Sequence, residues 1–167
     1  MFKSVFPRRD TPSVEPIQPT SGATRDLLVM GYLSAVAHAM ERAGVAASRI
    51  RMGAPDCDLL RGSLDLELAV VPGRLSWGCP LSASWDEDDG WSAELRTPMS
   101  GESARRFLHA EVISPPQVVS DFIAGLAEGR DVGLLYPATC SSGHERLLGD
   151  LARYAVPEVR RWLRTPH

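Results

Sequence analysis

Fifteen residues, 81-LSASWDEDDGWSAEL-95, constrain this chain more tightly than any other stretch. Two tryptophans stand on either side of an acidic run. If the two arms pair antiparallel with Trp85 opposite Trp91, then Ala83 faces Ala93 and Leu81 faces Leu95. The other side then pairs Ser82 with Glu94 and Ser84 with Ser92. One register sends every apolar residue to one face and every polar one to the other. A slip by one residue destroys that sorting, so the register is strongly specified. Asp89-Gly90 offers the positive φ that such a loop needs. The run Asp86, Glu87, Asp88, Asp89 is then a solvated turn, and the indoles form a cross-strand pair.

The hairpin predicts its surroundings, because a sheet with one oily face needs helices to cover it. Val29, Leu33, Val36, Ala37 and Met40 recur at helical spacing, while Ser34, His38, Glu41 and Arg42 fall elsewhere. The spacing predicts a helix over 24–43, capped by Thr24 and stopped by Gly44. Ile50 and Met52 alternate with Arg49 and Arg51 in a short strand. Leu64, Leu66, Leu68 and Val70 alternate with Ser63, Asp65, Glu67 and Ala69 in a longer one, closed by Pro72-Gly73. A fifth strand is expected over 105–113, with Leu108, Ala110 and Val112 inward. In 114-SPPQ-117, Ser114 reads as a helix cap, Pro115 as the first helical residue and Gln117 as the return arm of a capping box. Val119, Phe122, Ile123 and Leu126 make that helix's buried stripe, and Gly129 ends it. Further on, Ser142-x-x-Glu145 reads as another capping box, followed by Leu147, Leu148, Leu151 and Tyr154. A last short helix is expected from Pro157, with Val159, Trp162 and Leu163 on its apolar side.

The fold class expected is α+β: an N-terminal helix, about five antiparallel strands, a helix, then a C-terminal helical extension. Residues 1–23 read as a disordered proline-rich segment, with Pro7, Pro12, Pro16 and Pro19 blocking regular structure. Residues 24–129 read as the core domain and 130–167 as the extension.

The middle of the chain resembles an uncharacterised actinobacterial domain-of-unknown-function family. The resemblance is carried by 32-YLSAVAHAMERAGV-45, 84-SWDEDDGW-91 and 107-FLHAEVISPPQVVSDFIAGL-126, all within about 32–126. It implies no activity, cofactor or catalytic residue. The helix–sheet–helix order is also similar to small bacterial secretion-chaperone folds, which bind other proteins, an analogy of fold alone.

Charge narrows the partner classes. The formal net charge is −3. Residues 1–10 carry +2 (Lys3, Arg8 and Arg9 against Asp10), and 153–167 carry +3 (Arg153, Arg160, Arg161 and Arg164 against Glu158), so the body between them carries −8. An acidic body disfavours nucleic acid, whose binding draws on phosphate neutralisation. Three cysteines, Cys57, Cys79 and Cys140, with no CxxC and no secretory leader, suggest a reduced, cytoplasmic protein. No run reaches the ~18 apolar residues of a membrane span.

Catalytic and ligand motifs are not found. A calcium loop with Gly90 at its sixth position would put Trp85 first and Arg96 twelfth, where a carboxylate is required. Cys140 and His144 approach zinc spacing, but one pair cannot complete a tetrahedron. His38 and His109 read as surface residues. No GxSxG elbow, Walker loop or GxGxxG is present. Lys3 is the sole lysine, so a lysine grip on phosphate would have to come from the N-terminal tail.

These readings favour a non-catalytic protein-binding or regulatory module. Its tails or an exposed edge of the five-stranded sheet are expected to engage another protein or a second copy, with no cofactor and no metal. Candidate partner-binding residues are Phe2 and Phe6 near the N-terminus, and Arg160, Arg161, Trp162 and Arg164 near the C-terminus. A small enzyme gathering His109, Cys140 or Asp56 into a pocket is one alternative. A nucleic-acid regulator using the arginine helix is another.

Overall fold

A computed structural model describes residues 22–53, 59–67, 79–96, 103–138 and 144–157. The protein is α+β. Helix α1 (Gly22–Arg42) leads into five strands, β1 (Ala46–Met52), β2 (Arg61–Glu67), β3 (Cys79–Asp86), β4 (Gly90–Arg96) and β5 (Ser103–Phe107). Helices α2 (Pro116–Ala127) and α3 (His144–Leu151) follow. The strands form one antiparallel meander in sequence order, so β1 and β5 are its margins.

The hairpin register is the expected one at its centre. Trp85 opposes Trp91, Ala83 opposes Ala93, Ser84 opposes Ser92 and Ser82 opposes Glu94. Both indoles are buried on the same face, at 1% exposure each. Gly90 takes a positive φ of 72°. At the far end the expectation fails: Leu95 faces Pro80, not Leu81, across an irregularity between Pro80 and Ser82. Proline has no N–H to give the ladder and is tolerated at such bulges.

Helix α1 is covered on more sides than its periodicity suggested. Besides Val29, Leu33, Val36 and Met40, it buries Leu28, Tyr32 and Ala39. Tyr32 packs edge-on against Trp85 and Trp91, at centroid distances of 5.8 and 6.0 Å. From another side Tyr154 approaches Tyr32 at 5.0 Å. From a third, Ser120 Oγ in α2 donates to the Ala39 carbonyl at 3.1 Å. Leu147, Leu151 and Ala155 belong to the same buried cluster as α1 and the sheet, so residues 144–155 share the core. Thr24 is not the cap: the helix starts at Gly22 and Thr24 is buried inside it.

Two further expectations are corrected. Strand β5 ends at Phe107 and does not run to 113. Beyond it the carbonyls are claimed from inside: Trp85 Nε1 donates to Val112 O at 2.7 Å, and Tyr32 Oη donates to Ser114 O at 2.7 Å. No capping box forms at α2. Pro115 is the cap residue and Pro116 the first helical one, Ser114 Oγ turns to Glu111 O, and Gln117 donates to Asp121. A proline cap has no side-chain acceptor, so the Pro115 carbonyl receives the Val118 and Val119 N–H groups instead. The described part of β2 ends at Glu67. Leu68 to Val70, Pro72-Gly73, Ser142 and everything after Pro157 lie outside the described residues.

Two stability outcomes follow. Alanine improves a helix interior over glycine by about 1 kcal/mol, but a Cβ on Gly31 would lie 2.7 Å from the Tyr154 carbonyl oxygen. Backbone there cannot yield cheaply, so Gly31→Ala is expected to destabilise by about 1–3 kcal/mol. The urea midpoint reads this, and an unchanged or higher midpoint refutes the close approach. Tyr32→Phe strands the Trp91 Nε1 donor and the Ser114 acceptor and is expected to cost about 2–4 kcal/mol.

The same phenol predicts a pH dependence. Burial, the largest cause, pushes its pKa up from the ordinary 10.0, with hydrogen bonding from Trp91 opposing. The unfolded chain therefore releases this proton first, and its contribution is intact below pH 10 and lost above it. Stability should fall by up to about 1.4 kcal/mol per pH unit beyond that point. Tyr32→Phe should flatten that limb in alkaline urea titrations.

Candidate functional site at the open margin of the sheet

The partner contacts singled out from sequence are not among the residues the structure describes. Phe2, Phe6, Arg160, Arg161, Trp162 and Arg164 all lie outside the described residues, as do Asp56, Cys57 and Cys140. His38 and His109 are exposed. Among the described residues no group of three or more His, Cys, Asp or Glu side chains is arranged to hold a metal ion.

The acidic turn organises itself. Asp86 Oδ1 accepts the N–H groups of Asp88 at 3.1 Å and Asp89 at 2.7 Å, which closes the turn from within. Asp88 and Asp89 are exposed. The Asp89 carboxyl sits above its ordinary pKa, chiefly through partial burial and then through the Asp86 and Asp88 charges, with Arg105 opposing.

Alternation along the strands puts Trp85, Trp91, Ala83, Ala93 and Leu64 on the face under the helices. The same alternation turns Ser63, Ser82, Ser84, Ser92, Asp65 and Glu94 to the other face. The two margins of this sheet differ. Strand β1 carries an irregularity between Ala47 and Arg49, and Ser48 Oγ and Arg51 Nε both bond to Asp65 of β2. A bulged, charged margin of this kind resists further pairing. Strand β5 has no such irregularity along its pairing with β4.

The β5 margin is closed at one point only among the described residues. Leu134 and Phe107 exchange both backbone hydrogen bonds, each 2.8 Å, in an isolated antiparallel bridge. Gly133 permits that approach: its φ is +83°, and a Cβ there would lie 2.8 Å from the Phe107 carbonyl and 2.7 Å from the Phe122 ring. An ion pair between Arg106 and Asp131, at 2.8 Å, ties the same segment to β5. Phe107 is thereby 8% exposed, whereas Leu135 and Tyr136, just past the bridge, are 60% and 78% exposed. Two large apolar side chains are thus held in solvent next to an anchored backbone. Sequence reasoning expected an exposed sheet edge to be a contact but did not single out this margin or Leu135 and Tyr136. The available signal was 133-GLLYP-137, an apolar triplet between glycine and proline with neither helical nor alternating context.

The turn geometry predicts a graded series. Asp86→Ala should cost about 0.5–1.5 kcal/mol by removing the acceptor of two N–H groups, while Asp86→Asn, which keeps that oxygen, should be near neutral. Thermal melts read both, and equal losses would refute the structural role.

Compared with known proteins, the chain matches no family model, no curated protein and no solved structure.

Proposed function

We propose that this protein is a non-catalytic protein-binding or regulatory module, whose partner is another protein or a second copy of the chain. The observation that supports this reading best is the pair Leu135 and Tyr136, the two most exposed large apolar side chains among the described residues, consecutive and adjoining the sheet margin. Leu134 beside them is exposed too, whereas the others among the described residues, Leu27, Leu59, Val118 and Val156, are single in sequence. Isolated surface apolar residues are ordinary, whereas a contiguous group marks an interaction site. Tyrosine is favoured at the centres of interfaces, since it offers a large rigid surface with a polar tip. The backbone of this group is anchored through Leu134, so little ordering remains to oppose binding.

The resemblance of residues 32–126 to a domain-of-unknown-function family belongs to the same reading, and it adds no activity. No helix among the described residues is long and apolar enough to cross a membrane.

Sedimentation across a concentration series, together with affinity capture by the full chain, tests the proposal. Leu135→Asp with Tyr136→Asp should abolish self-association or specific capture while leaving the melting temperature unchanged, because both side chains are exposed. A variant that keeps every association of the parent chain refutes the assignment.

A further inference from the structure

We propose that segment 134–138 is a strap with two positions. In one it is pinned to β5 at Leu134 alone, as described above. In the other it closes along the edge by two further rungs, Tyr136 with Arg105 and Ala138 with Ser103. Closing takes Leu135 and Tyr136 out of solvent, so the strap regulates the contact proposed above. That consequence rests on the module reading, whereas the closing itself does not.

The ladder supplies the first step. In an antiparallel sheet, successive residues turn their N–H and C=O groups to opposite neighbours. Leu108 N–H bonds to Trp91 O, towards β4, whereas Phe107 exchanges both its bonds outward with Leu134. The same alternation along the β4–β5 pairing turns the backbone groups of Arg105 and Ser103 outward. Among the described residues no backbone group meets them there. The bridge is thus one rung of a ladder whose next two are open.

Continuity selects the occupant. The bridge is antiparallel, so a step back along β5 is a step forward along the strap. Position 136 falls opposite 105, and 138 opposite 103. Those rungs need donors from Tyr136 and Ala138, and both have an N–H. Pro137, which has none, falls opposite Ala104, where a strap N–H would point away from β5. The base of the strap is already tied. Gly133 turns it with a φ of 83°, and Asp131 pairs with Arg106 at 2.8 Å. Closing therefore orders a few residues of a short tether, whereas a strand from another molecule must be brought from solution. Alternation sets Tyr136 beside Arg105 and Leu135 on the face of Arg106. The phenol ring can then lie over the Arg105 guanidinium, and both apolar side chains leave water.

Amide hydrogen exchange of the full chain, resolved by NMR with no partner added, tests this. The Ser103, Arg105, Tyr136 and Ala138 amides should exchange slowly, and dilution should not change them. Tyr136→Pro deletes the donor of the first new rung and should speed the Arg105 amide about tenfold or more. Leu135→Pro is the register control: the N–H it deletes points away from β5, so slow exchange should survive. Both positions are exposed, so neither change touches the core. Arg105→Pro breaks the same rung and leaves Leu135 and Tyr136 intact. It should strengthen whatever association the parent chain shows.

Several results would overturn the proposal. Exchange at Arg105 and Tyr136 as fast as in an open loop removes the strap. Protection that vanishes on dilution assigns the edge to a second copy, and protection that survives Tyr136→Pro assigns it to another segment. Equal effects of the two proline variants at 135 and 136 refute the register. Association unchanged by Arg105→Pro refutes the regulation. Slow exchange in a chain that associates with nothing supports the strap and sinks the module reading. Fast exchange in a chain whose associations are lost with Leu135→Asp and Tyr136→Asp does the reverse.

Discussion

The buried hydroxyl of Tyr32 is the constraint on which the rest of the molecule depends. It accepts from the Trp91 indole at 2.8 Å and donates to the Ser114 carbonyl at 2.7 Å. One group thereby joins the first helix, the central hairpin and the loop that launches α2. The Trp85 indole repeats the device on the Val112 carbonyl. Buried polar groups without partners are costly, so two indole donors on an oily sheet face dictate where acceptors must lie. The passage from β5 to α2 is shaped to provide them. It leaves strand geometry after Phe107, places two carbonyls against the aromatic cluster and enters the helix through consecutive prolines.

This arrangement explains why some of the fold was legible and some was not. The centre of the hairpin could be read because a period of two leaves only two choices of face, and one of them buries charge. The buried stripe of α2 could be read because that helix presents one apolar side: Val119, Phe122, Ile123 and Leu126 are all buried. Helix α1 was harder. It is contacted by the sheet, by α2 and by the α3 segment, so its inward residues fill more than one stripe, and Tyr32 falls outside the stripe that the spacing picks out. Leu28 and Tyr32, four residues apart beside the chosen stripe, were the available sign.

The errors at element ends share a cause. Thr24, Ser114 and Gln117 all have the residue types of a helix start, yet none acts as one. Local capping preferences are worth about 1 kcal/mol. The tertiary bond from Tyr32 that holds the Ser114 carbonyl is buried, and leaving its partner unmet would cost about as much or more. Long-range demand therefore decides the boundary. The Pro80 irregularity is the opposite case: a local defect, the missing N–H, displaces a pairing that hydrophobic sorting alone would have placed at Leu81.

A sheet edge was expected to be the contact, but which edge escaped the sequence, for a reason that also bears on function. Carboxylates, thiols and arginine-rich helices attract a reader because their side chains carry chemistry. At the β5 margin the reactive groups are backbone amides, which every residue has and no residue type announces. What distinguishes this edge is arrangement. The opposite margin is bulged and cross-linked by Asp65, whereas β5 stays regular, is met by one isolated bridge among the described residues and borders two exposed apolar side chains. The acidic turn shows the converse. Four conspicuous side chains surround a loop that the Asp86 carboxylate closes on its own backbone, and the Asp88 and Asp89 side chains are exposed. In this protein the most conspicuous carboxylate, that of Asp86, serves the scaffold, and the proposed recognition draws on the exposed Leu135 and Tyr136 instead.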